Sequence, residues 1–164
     1  MKKYTQEEFD AFEINEDEYR ICPSGDYTDI KVFGERCSFG EHCSFGERCS
    51  FGECCSFGEC CSFGKWCSFG EHCSFGKWCR VENDFTLYEF QKFEGFGSEK
   101  RCTYVFYRES DAVLIRCGCF CGSLDEFKAK VHETHADTEY EDEYNDVIYV
   151  IERKLERMKR RVEK

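Results

Sequence analysis

The chain has 164 residues and a formal net charge of −11 at pH 7. This length suits one domain, or a small solenoid with capping elements, but not two independent globular cores. The acidic balance argues against sequence-independent binding to nucleic acids or anionic membranes, because both require a surplus of Lys and Arg. No stretch approaches the roughly 18 apolar residues of a membrane-spanning helix, and the N-terminus lacks the apolar run of an export signal.

Cysteine usage points to the cellular compartment. The chain contains 15 cysteines, an odd number, and most of them lie between residues 33 and 80. Free thiols in a reducing compartment fit this distribution better than a disulfide framework does. We therefore expect a cytoplasmic protein.

The N-terminal segment, residues 1–26, is acidic and is the predicted N-terminal cap. Thr5 followed by Glu8 is typical of a helix capping box. Residues 19–22 predict a short strand.

The centre of the chain, residues 33–80, repeats a six-residue unit, Phe-Gly-x-x-Cys-Ser. Phe occupies positions 33, 39, 45, 51, 57, 63, 69 and 75, and Cys occupies positions 37, 43, 49, 55, 61, 67, 73 and 79. Alternation places Cys and Phe on one side of a short β-strand and Ser on the other. A period of six leaves no continuous apolar face on an α-helix, so the repeat predicts a stacked solenoid.

The Gly-x-x segment of each unit predicts a corner between strands. Glycine suits a corner for either of two reasons: it accepts a positive φ, or it allows neighbouring backbone to approach closely. The ladder cysteines are predicted to point inward as small apolar residues. Cys54 and Cys60 instead fall at an outward corner position.

The repeat resembles the hexapeptide-repeat family, with Phe as its large residue and Cys as its small one. The resemblance implies a left-handed parallel β-helix of triangular coils, each of about 18 residues, so that residue n lies against residue n+18. The six-residue step continues at Tyr27, Val81, Leu87 and Phe93, which predicts three to four coils in all. The predicted divisions are the cap at 1–26, the solenoid at 27–95, and a C-terminal cap or oligomerisation region at 96–164.

The C-terminal region predicts a β-hairpin followed by two helices. Strands at 102–107 and 112–117 flank a turn at 109–111. A capping box, Ser123–Glu126, opens a helix that ends near His135. The predicted fold class is therefore mainly β: a left-handed parallel β-helix with a C-terminal α+β cap.

The last predicted helix begins near Tyr140 and carries an apolar stripe at alternating steps of four and three residues, a pattern of coiled-coil type. The stripe consists of Tyr144, Ile148, Ile151, Leu155, Met158 and Val162. It either packs on the rest of the chain or joins two chains. In the second case a homodimer would form through Ile148, Ile151, Leu155, Met158 and Val162.

Segments outside the repeat carry a second resemblance. Residues 21–27, 116–127 and 131–135 are similar to uncharacterised proteins of Firmicutes and their phages. This resemblance implies a bacterial or phage setting and no particular activity.

The C-terminal region contains residues that could form a zinc site. Cys117, Cys119 and Cys121 alternate along one predicted strand and would face one way, with His132 and His135 on the following helix. Three thiolates and an imidazole could hold zinc, but the chain has no Cys-x-x-Cys pair there and small cysteines are ordinary core residues. We predict no bound metal and no cofactor, and keep the zinc site as an alternative.

Acyl transfer with coenzyme A is the main enzymatic alternative, because many hexapeptide-repeat proteins catalyse it. In that family a histidine lies at a groove between subunits and a loop interrupts the coils. Here the repeat is uninterrupted, and His42 and His72 are 30 residues apart, which places them on different corners. We predict no catalytic residue.

The predicted partner-binding residues all lie at corners of the repeat, because its interior is filled. They are Trp66, Trp78, Glu35, Glu53, Glu71, His42 and His72. Tryptophan is enriched at protein interfaces, and the three glutamates would form one acidic column. We therefore expect a non-enzymatic protein-binding solenoid whose partner is a host or phage protein, in the role of a phage-encoded inhibitor of a bacterial defence system. A self-assembling structural protein is a further alternative.

Overall fold

The computed structural model describes residues 1–82, 84–109 and 112–162, and for Val162 the backbone alone. The chain forms two compact units, Met1–Tyr88 and Glu89–Lys164. Two residues of the predicted hairpin turn, Ser110 and Asp111, lie outside the described residues. In the described part of the chain, no helix is long and apolar enough to span a membrane.

The first unit is a parallel β-solenoid of about three turns. Its elements are α1 Gln6–Asp10, β1 Arg20–Cys22, β2 Asp26–Tyr27, β3 Val32–Phe33, β4 Cys37–Phe39, β5 Ser44–Phe45, β6 Ser50–Phe51, β7 Ser56–Phe57, β8 Ser62–Phe63, β9 Ser68–Phe69, β10 Ser74–Phe75, β11 Arg80–Val81 and β12 Phe85–Thr86. The strands form three sheets, in the orders β1-β4-β7-β10, β2-β5-β8-β11-β12 and β3-β6-β9.

The register between coils is 18 residues. Phe39 pairs with Phe57 in one sheet, and Phe45 pairs with Phe63 in the next, with parallel strands in both. The predicted solenoid and its 18-residue spacing are therefore confirmed.

Phenylalanine rings fill the interior of the solenoid. Along each column the rings stack, as Phe33 and Phe51 do with centroids 4.7 Å apart and an interplanar angle of 6°. Between columns they meet edge to face, as Phe45 and Phe51 do at 5.0 Å and 89°. Both arrangements are favourable for the ring quadrupoles. The ladder cysteines are buried beside the rings, as predicted.

The structure of the corners shows whether glycine is needed there for a positive φ or for a close approach of neighbouring backbone. A Cβ on Gly58 would lie 2.7 Å from the backbone nitrogen of Glu41 in the coil below, so glycine is required by close approach. Positive φ falls two residues later, on non-glycine residues with φ between 52° and 65°. These residues are Arg36, His42, Arg48, Cys54, Cys60, Trp66, His72 and Trp78. Each such residue costs about 1–2 kcal/mol.

The N-terminal segment covers the first coil. The Thr5 and Glu8 capping box is present in α1, as predicted. The ring of Phe9 packs edge to face on Phe33 at 5.2 Å. The guanidinium of Arg20 donates to the carbonyl oxygens of Phe9 and Asp10 at the end of the helix. This cap protects an edge that would otherwise be open to pairing with another chain.

The six-residue register ends at Val81. There the sequence lacks the Gly-x-x-Cys corner, and β12 pairs antiparallel with β11. The amide of Leu87 still donates to the carbonyl of Cys79, at 2.7 Å. The prediction for Phe93 was wrong, because this residue lies in β13, an antiparallel strand of the second unit.

The second unit is an antiparallel sheet packed against two helices. Its elements are β13 Glu89–Phe96, β14 Arg101–Tyr107, β15 Val113–Cys117, β16 Phe120–Gly122, α2 Leu124–His135 and α3 Glu139–Val162. The strand order is β13-β14-β15-β16. The predicted hairpin is confirmed as β14 and β15, and the Ser123–Glu126 capping box opens α2.

The apolar stripe of α3 packs within the second unit. Its members Tyr144, Ile148, Ile151 and Met158 are buried in one core cluster that also contains Val105 and Ile115. Leu155 is half-buried against the same cluster. The side chain of Val162 lies outside the described residues. The homodimer stays a prediction.

Substitution of equivalent glycines tests the close approach of the coils. Gly58→Ala should lower the free energy of unfolding by about 1–3 kcal/mol, because the new methyl group meets backbone that cannot move aside. The control is Gly34→Ala at the same position of the repeat, where a Cβ would meet nothing within 4 Å. It should change stability by less than about 0.5 kcal/mol.

Urea unfolding measures both changes. The chain has two tryptophans, Trp66 and Trp78, and both lie in the first unit, so their fluorescence reports on the solenoid. Equal destabilisation by the two variants would contradict stacking of coil on coil at Gly58.

Candidate functional site

One corner of the solenoid carries an exposed aromatic side chain. It is formed by His42, Cys60 and Trp78, which occupy equivalent positions in successive coils, and we name it the tryptophan edge. The amide of His42 donates to the carbonyl of Glu59 at 2.8 Å, and that of Cys60 donates to Lys77 at 2.9 Å. These bonds stack the corners directly on one another.

The backbone at this edge holds its side chains outward. His42, Cys60 and Trp78 have φ of 57°, 60° and 63°. Trp78 is 64% exposed. Next to Trp78, the carbonyl of Lys77 accepts from the coil below and the amide of Gly76 donates to Phe57, so hydrogen bonds hold the backbone that displays the indole. An exposed indole on such a backbone loses less conformational entropy on binding than one on a flexible loop.

A second corner carries the acidic column. The exposed residues Glu35, Glu53 and Glu71 stack there, and the amide of Cys54 donates to the carbonyl of Glu71 at 2.9 Å. His72 lies on the same corner, with its Nε2 4.0 Å from a carboxylate oxygen of Glu71. The predicted acidic column therefore exists as a solvated edge with a histidine at one end.

Trp66 lies on the third corner and is half-buried. Its amide donates to the carboxylate of Glu82, at 3.2 Å to one oxygen. In the coils below, the equivalent amide donates to a backbone carbonyl, as that of Arg48 does to Lys65. The Glu82 carboxylate thus takes the place of a carbonyl where the regular coils end. The seven predicted residues are divided among three corners and do not form one site.

The two histidines lie on different corners, as their separation predicts. His42 belongs to the tryptophan edge and His72 to the acidic column, and both are exposed. Acyl transfer with coenzyme A stays an alternative prediction.

The inward thiols are buried beside backbone carbonyls. The Sγ atoms of Cys43 and Cys61 lie 3.2 and 3.4 Å from the same carbonyl oxygen, that of Gly40. A hydrogen bond with Cys37, together with burial, raises the pKa of Cys55 to about 12. This thiol stays protonated near neutral pH, and thiols react as thiolates.

The prediction that three C-terminal cysteines share one strand face was wrong. Cys117 ends β15, Cys119 lies in the turn, and Cys121 lies on β16 opposite Arg116. Gly118, with φ of 56°, allows the tight turn that separates them.

His132, one of the two histidines of the zinc alternative, pairs with a carboxylate. The Nδ1 of His132 lies 2.7 Å from a carboxylate oxygen of Glu141, and its ring is exposed. Over residues 1–82, 84–109 and 112–162, no group of three or more His, Cys, Asp or Glu side chains is arranged to hold a metal ion.

No family model, curated protein or solved structure matches the chain. The resemblances to hexapeptide-repeat proteins and to proteins of Firmicutes and phages therefore stay predictions from the sequence. The parallel solenoid is observed in the structure itself.

Thiol labelling tests the division between inward and outward cysteines. Brief treatment of the folded protein with iodoacetamide should modify the exposed Cys119 and Cys121 first. The half-buried corner residues Cys54 and Cys60 should react more slowly, and the ladder thiols only after denaturation. Peptide mass spectrometry gives the extent at each site. Labelling of Cys61 in the folded protein as fast as Cys119 would contradict the inward orientation.

Proposed function

We propose that the solenoid is a non-enzymatic protein-binding module that contacts its partner through the tryptophan edge. The observation that supports this most directly is the exposure of Trp78 on a corner whose backbone is fixed by hydrogen bonds between coils. Tryptophan is the residue type most enriched among side chains that dominate binding energy at protein interfaces. A rigid display adds affinity by lowering the ordering cost.

The charges beside Trp78 specify the kind of surface it fits. Glu41 and Glu59 lie at the same corner, one coil apart, and Lys77 follows them in the next coil. The chain as a whole carries a net charge of −11. The partner is therefore a protein with an apolar pocket for the indole and basic side chains around that pocket.

The proposal also includes a biological setting for this binding. The similarity of residues 21–27, 116–127 and 131–135 to proteins of Firmicutes and phages supports a bacterial host or phage protein as the partner. In that setting the solenoid would act as a phage-encoded inhibitor of a defence system, by occupying a surface of a host protein.

The binding test compares variants at equivalent corner positions. A protein captured on the tagged chain from bacterial lysate is identified by mass spectrometry, purified, and titrated against the purified chain. Trp78→Asn should weaken binding by about 30-fold, the effect of removing a dominant interface residue. Asparagine tolerates the positive φ at this position, so the corner should keep its fold.

Arg48→Asn is the matched control, because Arg48 has a φ of 58° and is exposed on another corner. It should bind as tightly as the unmodified chain. Equal affinity of the Trp78→Asn variant would remove the tryptophan edge from the site. Saturable binding of acetyl coenzyme A in isothermal titration would instead favour the acyltransferase alternative.

A further inference from the structure

The second unit contains a cleft of about 280 Å³. It lies between the turn that joins β13 and β14, the turn that joins β15 and β16, and the helices α2 and α3. Its volume lies near the lower end of small-molecule sites, which span about 300–1,000 Å³. It therefore has room for a ligand of a single ring.

Aromatic side chains line the floor of the cleft. Phe127 contacts Phe120 with ring centroids 5.4 Å apart, and Tyr144 edge to face at 5.8 Å. Val131 completes this apolar surface. Phe127, Val131 and Tyr144 are buried, whereas Phe120 is partly exposed. A planar apolar ligand would therefore contact mainly the exposed part of the Phe120 ring, with Phe127 packed behind it.

Arg101 lies at the rim of this floor. A Cβ on Gly118 would meet Nη1 of Arg101 at 2.5 Å, so the guanidinium lies directly over this glycine. Its carboxylate neighbour Glu99 lies 3.9 Å away, too far for a paired hydrogen-bonded fork. Lys130 lines the cleft as well, but its Nζ already pairs with a carboxylate oxygen of Glu133 at 2.9 Å. The Arg101 guanidinium, whose carboxylate neighbour is more distant, can still form a bidentate contact with an entering carboxylate.

A hydroxyl donor lies in the floor. The Tyr144 hydroxyl is 3.8 Å from Sγ of Cys117, which is a weak sulfur partner. Thr103 already donates to the same sulfur, at 3.2 Å. Burial raises the pKa of Tyr144 to about 12, so the group is a hydroxyl at neutral pH. The hydroxyl lies against the backbone of Gly97, where a Cβ would meet it at 2.3 Å, so it is packed within the floor.

We infer that this cleft binds a small aromatic carboxylate, with its ring on Phe120 and Phe127 and its carboxylate at Arg101. The ring floor favours an aromatic ligand over an inorganic anion, which would leave the apolar surface uncovered. The cationic rim favours a carboxylate over a neutral ring, because the guanidinium fork matches two carboxylate oxygens. This site lies in the second unit and does not depend on the tryptophan edge.

Benzoate is the probe, and the unmodified full chain is titrated by ¹H–¹⁵N correlation NMR. Binding is expected at about millimolar concentration, because the ligand has few atoms. Saturable shifts should centre on the amides of Gly118, Phe120 and Val131. Benzamide, which has the same ring without the charge, should bind at least about tenfold more weakly.

Two variants that each remove one positive charge distinguish a direct contact of Arg101 with benzoate from an effect of the protein's net charge. Arg101→Gln should weaken benzoate binding by about tenfold. Arg153→Gln removes the same charge from an exposed side chain of α3 and should leave the affinity unchanged. Equal affinity of the Arg101→Gln variant, equal binding of benzamide, or shifts centred outside the cleft would overturn the proposal.

Alkylation gives an independent readout. Cys119 lines the cleft and is exposed, whereas Cys54 lies on a solenoid corner. Saturating benzoate should slow the reaction of Cys119 with iodoacetamide by about tenfold or more and leave that of Cys54 unchanged. An unchanged rate at Cys119 would count against occupation of the cleft.

Discussion

The solenoid depends on one constraint: each residue stacks on the equivalent residue of the next coil, 18 residues further along the chain. Neighbouring strands lie about 4.8 Å apart, so identical positions repeat at a distance that suits flat rings. Phe39 and Phe57 use this spacing with centroids 5.3 Å apart and rings nearly parallel. The same spacing leaves no room for a Cβ at Gly58. One geometric repeat therefore selects both the largest and the smallest side chain of the unit.

The same constraint determines where the solenoid can act. Its interior is closed by rings and thiols, and its strands carry mainly serine outward, so variation is concentrated at the corners. There the backbone adopts positive φ in eight successive units, at about 1–2 kcal/mol each. Hydrogen bonds between corners, such as that from His42 to Glu59, help to offset this cost. The result is a row of rigid outward positions that accept different side chains, among them Trp78.

The sequence predicted the solenoid because the six-residue unit is repeated eight times and because the alternation in Cys-Ser-Phe indicates a β-strand with Cys and Phe on its inner side. It also predicted the capping boxes at Thr5 and Ser123, which depend on neighbouring residues alone. It did not predict positive φ at residues such as Arg36, because Arg carries no propensity for that conformation and stacking imposes it. The predictions for Phe93 and Cys121 were wrong because the chain reverses direction. The reversal after Val81 ends the six-residue repeat, and the turn at Gly118 ends the strand alternation that began at Cys117. The cleft beside Arg101 brings together residues from three strands and two helices, which no local pattern joins.

A double-mutant cycle on phenylalanine pairs tests the 18-residue register most directly. Phe39→Leu and Phe57→Leu are made singly and together, and the free energy of unfolding is measured through tryptophan fluorescence. Phe33 and Phe75, 42 residues apart, form the control cycle. Within the repeat, Phe33 contacts the rings of Phe39, Phe45 and Phe51, whereas Phe75 contacts those of Phe57, Phe63 and Phe69. Stacking predicts a coupling energy of about 0.5–1.5 kcal/mol for the first pair and about zero for the second. Equal coupling in the two cycles would contradict the stacked coils.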